Sequence, residues 1–257
     1  MVPIRAWFKW LARQNYILYN PASDIEMPRL ERRLPKHILT VEESEQIINQ
    51  PDTTTPTGIR DRAILETLYS TGMRRMELIN LKLFDIDPDR GTVMVRQGKG
   101  RKDRMIPIGE RALKWIEKYQ SDVRPELSTP NDEGILFLTH LSDAFTPNRL
   151  TQMVRDYIDA ADIGKRGSCH LFRHTIATLM LENGADVRFI QAMLGHVSLE
   201  TTQIYTQVSI RKLKDIHTAT HPAKLQRTKT IDWQDGDEET QLLETLAQED
   251  TEEAADS

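Results

Sequence analysis

Between Thr92 and Ile108 the apolar residues change period, and that change confines the chain to a narrow class of folds. On either side, apolar side chains recur three and four apart, the spacing that lines one face of a helix. Within the stretch, Val93 and Val95 alternate with Thr92, Met94 and Arg96. Met105-Ile106-Pro107-Ile108 then follows a glycine- and charge-rich break from Gln97 to Asp103. Two extended runs around Gly98-Lys99-Gly100 predict an antiparallel hairpin, and Phe84 to Ile86 is expected to supply a third short strand. An isolated hairpin is marginal in water, so helices must cover it. The expected class is therefore α+β: mostly α, with a small three-stranded antiparallel sheet.

The helical readings follow from the same periodicity. Ile4, Trp7, Phe8 and Leu11 mark an amphipathic helix from Ile4 to about Leu18, ended by Asn20-Pro21. Thr40-Val-Glu-Glu is a capping-box start, with Ile47 and Ile48 behind it. A helical pattern from Ile59 to about Leu81 is interrupted at Thr71-Gly72, where glycine permits a tight turn. Further helices are expected over 110–120, 147–161, 170–183, 186–194 and 198–215. The domain reading places a last helix of an upstream helical domain at 1–27, a linker at 28–39, the main domain at 40–222 and an acidic, disordered tail at 223–257.

Charge is unevenly spread. The whole chain of 257 residues carries a net charge of −5. From Ile231 to Ser257 there are eleven acidic residues and no Lys or Arg, so the first 230 residues hold 34 basic against 28 acidic side chains. A mildly basic body is permissive for a polyanionic partner. No apolar run approaches the length of a membrane helix, and the N-terminus has no signal-peptide pattern. A single cysteine, Cys169, excludes an internal disulfide and a thiolate cluster, and reads as a small buried hydrophobe.

Six residues stand out as chemistry: Arg74, Lys99, His170, Arg173, His196 and Tyr205. Each has a plain reading. Arg74 at a helix start is a surface cation, Lys99 a solvated hairpin tip, His196 a cap and Tyr205 a core residue. His170 and His174, four apart on a helix, could share a metal, but no Glu lies between them and no third ligand is near in sequence. Together they say more. Two arginines, two histidines and a lysine are what phosphoryl transfer needs in the absence of a metal. Guanidinium forks match the non-bridging oxygens, imidazoles move protons, lysine protonates a leaving oxygen, and tyrosine supplies a covalent nucleophile.

In this order and spacing the residues resemble the tyrosine recombinases, or phage-integrase-type recombinases, and among them the bacterial Xer-like enzymes. The motifs run from about Thr40 to Thr218: Thr-Gly-Met-Arg-Arg-Met-Glu-Leu with Arg74 in the arginine position, and Gly98-Lys99-Gly100-Arg101-Lys102-Asp103-Arg104-Met105-Ile106-Pro107. His170, Arg173, His174 and Thr175 follow as His-x-x-Arg-His-Thr, then Leu-Gly-His with His196, then Tyr205 nine residues on. The resemblance implies that Tyr205 attacks a DNA phosphate to give a 3′-phosphotyrosyl link and a 5′-hydroxyl. It gives Arg74 and Arg173 the phosphate, His196 a non-bridging oxygen, His170 the tyrosine proton and Lys99 the leaving oxygen. It further implies double-stranded DNA as partner, four subunits on paired sites, no cofactor or metal, and a cytoplasmic location. The stretch from Val208 to Ala219 would dock on the neighbouring subunit. Family members carry a larger helical core-binding domain before the catalytic one. The expectation is therefore of a catalytic domain with most of that clamp missing. Two further readings stay open: a non-catalytic DNA-binding or regulatory remnant, and a relaxing topoisomerase activity.

Overall fold

The computed structural model describes residues 2–23, 38–96, 103–130, 132–195 and 216–222. The hairpin tip with Lys99, residues 196–215 with His196 and Tyr205, most of the linker and the acidic tail lie outside the described residues. The chain divides into two compact units, Met1–Arg33 and Leu34–Ser257.

In the first unit, α1 (Val2–Arg13) ends earlier than its periodicity predicts. The amide of Tyr16 donates to Leu11 O at 3.0 Å and that of Asn15 to Ala12 O at 3.2 Å, with Asn15 at φ 59°. This is a Schellman closure, and asparagine tolerates the left-handed conformation it requires.

The second unit is helical around one sheet. α2 (Val41–Ile48) starts on the capping box: Glu43 N donates to Thr40 Oγ1 at 3.2 Å, and Thr40 N donates to Glu43 Oε2 at 2.7 Å. α3 (Pro56–Thr71) begins three residues before the predicted start, with Thr55 as N-cap and Pro56 in the first turn, where its missing N–H costs nothing. The left-handed Gly72, φ 59°, caps its end. The short α4 (Arg75–Ile79) follows, with Arg74 as its N-cap residue.

The expected strand at Phe84 to Ile86 is displaced. Leu83–Asp85 forms a 3-10 turn, because Asp85 Oδ2 accepts the Lys82 amide at 3.0 Å and Oδ1 accepts Arg96 Nε at 2.6 Å. The strand β1 is only Ile86–Asp87. It pairs antiparallel with β2 (Thr92–Val95), and β2 with β3 (Arg104–Pro107), with Ile86 opposite Val93 and Val95 opposite Arg104. Pro107 sits on the edge strand, where it removes no inner ladder bond. Thereafter come α5 (Glu110–Asp122), the unpredicted single turn α6 (Arg124–Leu127), α7 (Pro147–Ala160), α8 (Cys169–Glu182) and α9 (Val187–Leu194). No helix among the described residues is long and apolar enough to cross a membrane.

α3 packs against both α5 and α8, and every residue from Gly58 to Thr71 is buried. Its last carbonyls would be orphaned by the helix end. A helical turn at 216–220 supplies donors: His217 Nε2 lies 2.7 Å from Ser70 O, and His221 Nε2 lies 2.8 Å from Tyr69 O. The two imidazoles are 4.6 Å apart, and His221 meets the Tyr69 ring edge-on at 5.2 Å. Thus Ile216 to Ala219, the described end of the stretch expected to dock on a neighbour, is packed on its own chain.

Burial pushes the His217 imidazole down from 6.5 to about 4, with its bond to Ser70 O opposing. The folded state therefore binds fewer protons than the unfolded chain between those values. This contribution to stability is whole above pH 6.5 and is lost as pH falls toward 4, to a total of about 3 kcal/mol. Urea unfolding of His217→Gln beside the parent chain is expected to show a shallower loss of stability across that window.

Candidate active site

Two described site residues, Arg74 and Arg173, converge at the junction of α3, α4, α8 and α9, and a third, His170, lies one turn away on α8. Arg173 is buried in α8, and its guanidinium donates to Gly72 O at 2.7 Å and Leu194 O at 2.9 Å. One side chain thus ties the C-terminal ends of α3 and α9. Arg74, two residues beyond Gly72, donates through Nη2 to Gly195 O at 3.3 Å. Both arginines predicted from sequence therefore meet the Leu194-Gly195 turn, whose next residue is His196. His170, one turn before Arg173, is half-buried, with Nδ1 3.0 Å from Ser168 Oγ. His174, expected on the same face, lies 6.2 Å away ring to ring and is buried. Thr175 holds the entry to the unit, accepting the Leu39 amide at 3.0 Å. Lys99, His196 and Tyr205 are outside the described residues.

The turns are built for this convergence. Gly72 stands at φ 59°, and a Cβ there would lie 2.8 Å from both Ile176 Cγ2 and Leu194 Cδ2. Gly195 stands at φ 70°, and a Cβ would meet the Arg104 guanidinium carbon at 2.9 Å. Glycine at each position allows two helix ends to close on the arginines.

Glu77 and Arg104 stand within the sequence motifs with no role expected of them. Glu77 is buried at the centre of the cluster. Its Oε1 accepts Arg74 Nη1 at 3.1 Å and Arg104 Nη1 at 2.8 Å, and its Oε2 accepts Arg104 Nη2 at 2.7 Å and the Arg74 amide at 2.9 Å. Burial alone would raise its pKa. The Arg104 fork, then Arg74 and Arg173, outweigh that and hold the carboxyl at about 2. It is therefore ionised at neutral pH. The signal available in sequence was spacing: Glu77 lies three residues after Arg74, the distance of a capping box. Three guanidiniums to one carboxylate leave two positive charges, which suits a phosphoryl group gaining charge in its transition state.

Gly72→Ala is expected to lower stability by about 1–3 kcal/mol, since it adds left-handed strain to a steric clash with Leu194. Thermal unfolding beside an exposed substitution such as Leu141→Ala measures this.

Comparison with known proteins agrees with the fold. Tyrosine recombinase XerC 2 of Ralstonia nicotianae is 51% identical over 231 residues, covering 90% of this chain and 66% of that protein, just under two thirds of its length. Tyrosine recombinase XerD of Pseudomonas putida is 37% identical over 219 residues, covering 85% of this chain and 73% of that one. Among solved structures, XerA recombinase is 31% identical with a TM-score of 0.57, over 84% of this chain and 73% of that one. XerH site-specific recombinase bound to its palindromic difH substrate is 26% identical with a TM-score of 0.63, over 81% of this chain and 62% of that one. Residues 37–211 match the Phage integrase family, and the chain belongs to that family.

Proposed function

We propose that this chain cleaves and rejoins DNA at specific sites through a covalent tyrosyl intermediate, as a Xer-like tyrosine recombinase. The observation that carries the reading is the convergence of Arg74 and Arg173 on the carbonyls of the Leu194-Gly195 turn, directly before His196. The names of its relatives, tyrosine recombinases among them, support it from outside.

In this reading the Tyr205 phenol oxygen attacks the scissile phosphorus. An O–P bond to the protein forms, and the bond to the 5′ oxygen breaks. Lys99 protonates that oxygen, and His170 receives or relays the phenol proton. Arg74 and Arg173 hold the non-bridging oxygens, with His196 as a further donor. The phosphodiester energy is kept in the 3′-phosphotyrosyl link, so a 5′-hydroxyl from a partner strand reverses the step without ATP, and no step calls for a metal. Double-stranded DNA is the substrate, and four subunits act on two paired sites. Residues 40–222 serve as the catalytic domain, 28–39 as a linker and 1–27 as a helix of a core-binding domain.

Covalent trapping tests this. Purified protein with nicked duplexes bearing candidate sites from its genome is expected to give a denaturation-resistant adduct, unchanged by chelator and absent with Tyr205→Phe. Arg173→Ala is expected to slow adduct formation by roughly 10²–10³-fold. An adduct that survives in Tyr205→Phe sinks the assignment, and relaxation of supercoils without any Holliday-junction product would make the enzyme a topoisomerase instead.

A further inference from the structure

Arg104 is bonded through its whole guanidinium within the cluster, and nothing in the reaction scheme uses it. It projects from the first residue of β3, where the strand leaves the hairpin, and its side chain is only 15% exposed. All three nitrogens of its guanidinium are engaged. Nη1 and Nη2 fork onto the two oxygens of Glu77 at 2.8 and 2.7 Å, and Nε donates to Met193 O at 3.1 Å. The planar group lies against Gly195, where a Cβ would reach Nε at 2.9 Å. One side chain therefore touches the hairpin, the turn that holds Arg74 and the turn that leads to His196.

The competition for Glu77 is what matters. Glu77 is ionised and buried, so it must be neutralised by whatever cation is in reach. Both Arg74 and Arg104 bond it, but unequally: Arg104 takes both oxygens in a bidentate fork, whereas Arg74 makes one longer side-chain contact at 3.1 Å. A fork of that kind is the stronger partner for a carboxylate. If Arg104 were absent, the Arg74 guanidinium would become the principal counter-ion of Glu77 and turn toward it, away from any incoming anion.

We propose that Arg104 is a positioning residue: it satisfies Glu77 and thereby keeps the Arg74 guanidinium available to a phosphate. This rests on the reading of Arg74 as a phosphate ligand given above. Arg104 is offered no contact with DNA; it acts through Glu77 and Arg74. Lysine could not replace it, because an ammonium is a single point of charge and cannot fork both carboxylate oxygens while reaching Met193 O.

The test is a titration of the full chain with inorganic phosphate, following the side-chain nitrogen resonances of Arg74 by NMR, with thermal unfolding measured beside it. The parent chain is expected to show a phosphate-dependent shift at Arg74. Arg104→Gln should weaken it by about tenfold or more, and Arg104→Lys, which keeps the charge, by several-fold. Adding Glu77→Gln to Arg104→Gln removes the competing carboxylate and should restore most of the lost affinity. A merely structural role for Arg104 would change the unfolding temperature without this pattern at Arg74. Parent-like phosphate affinity in folded Arg104→Gln or Arg104→Lys overturns the proposal, as does a double variant no better than Arg104→Gln alone. If Arg104→Gln does not fold, Arg104→Lys and the double variant carry the same comparison. Absence of any shift in the parent chain would instead overturn the phosphate reading of Arg74, so the two failures are told apart.

Discussion

The site rests on a guanidinium that has no water to fall back on. Arg173 is buried, and its bonds to Gly72 O and Leu194 O join two helix ends that would otherwise carry orphaned carbonyls. Each helix stops on a left-handed glycine, so the arginine and the two turns are complementary parts of one arrangement. A substitution at Arg173 would leave those carbonyls short of donors, as well as remove a proposed phosphate ligand. Structural and chemical roles are therefore hard to separate at this position, in contrast to Arg74, which sits on the α4 cap with Glu77 beneath it.

α3 is an unusual support for such a site because its charged residues face inward. Arg62 donates to Glu66, which also accepts Arg111; Arg111 in turn reaches Glu45. Arg60 pairs with Asp61 and lies over the Phe145 ring at 5.0 Å, while Asp61 accepts the Tyr157 hydroxyl at 2.8 Å. Buried pairs of this kind contribute little net stability, but a broken one is costly. They fix one rotation of the helix about its axis, and with it the direction in which the Gly72 turn presents Arg74.

Local signals in the sequence were read well where the chemistry was local. The Thr40 capping box, the alternating residues of β2 and β3, and the Thr71-Gly72 break all lie where the residues predict. Signals failed where a side-chain bond or a left-handed residue overrides the apolar pattern. Phe84 looked like a strand residue, but Asp85 bonds the Lys82 amide and Arg96, and that closes a 3-10 turn first. Asn15 ended α1 with no glycine or proline to announce it. At the site, Arg74, His170 and Arg173 were legible as an ordered set, and Arg74 and Arg173 do converge on the Leu194-Gly195 turn. Glu77 and Arg104 were in plain view within their motifs, yet they lie 27 residues apart. Their pairing is a fact of the folded chain that no spacing rule contains.

The imidazole caps on α3 have one more effect. Leu194 is held at the C-terminal end of α3 through Arg173, and His217 and His221 are held at that same end through Ser70 and Tyr69. The chain between Gly195 and Ile216, which bears Tyr205, thus leaves and returns at one place. For about twenty residues, bringing the ends of such a loop together costs roughly 3 kcal/mol of entropy. That cost is met when the protein folds, not when it meets a substrate. Tyr205 is ten residues from Gly195 and eleven from Ile216, so for the proposed nucleophile the encounter with a phosphate held by the same subunit is a search within one molecule rather than through solution.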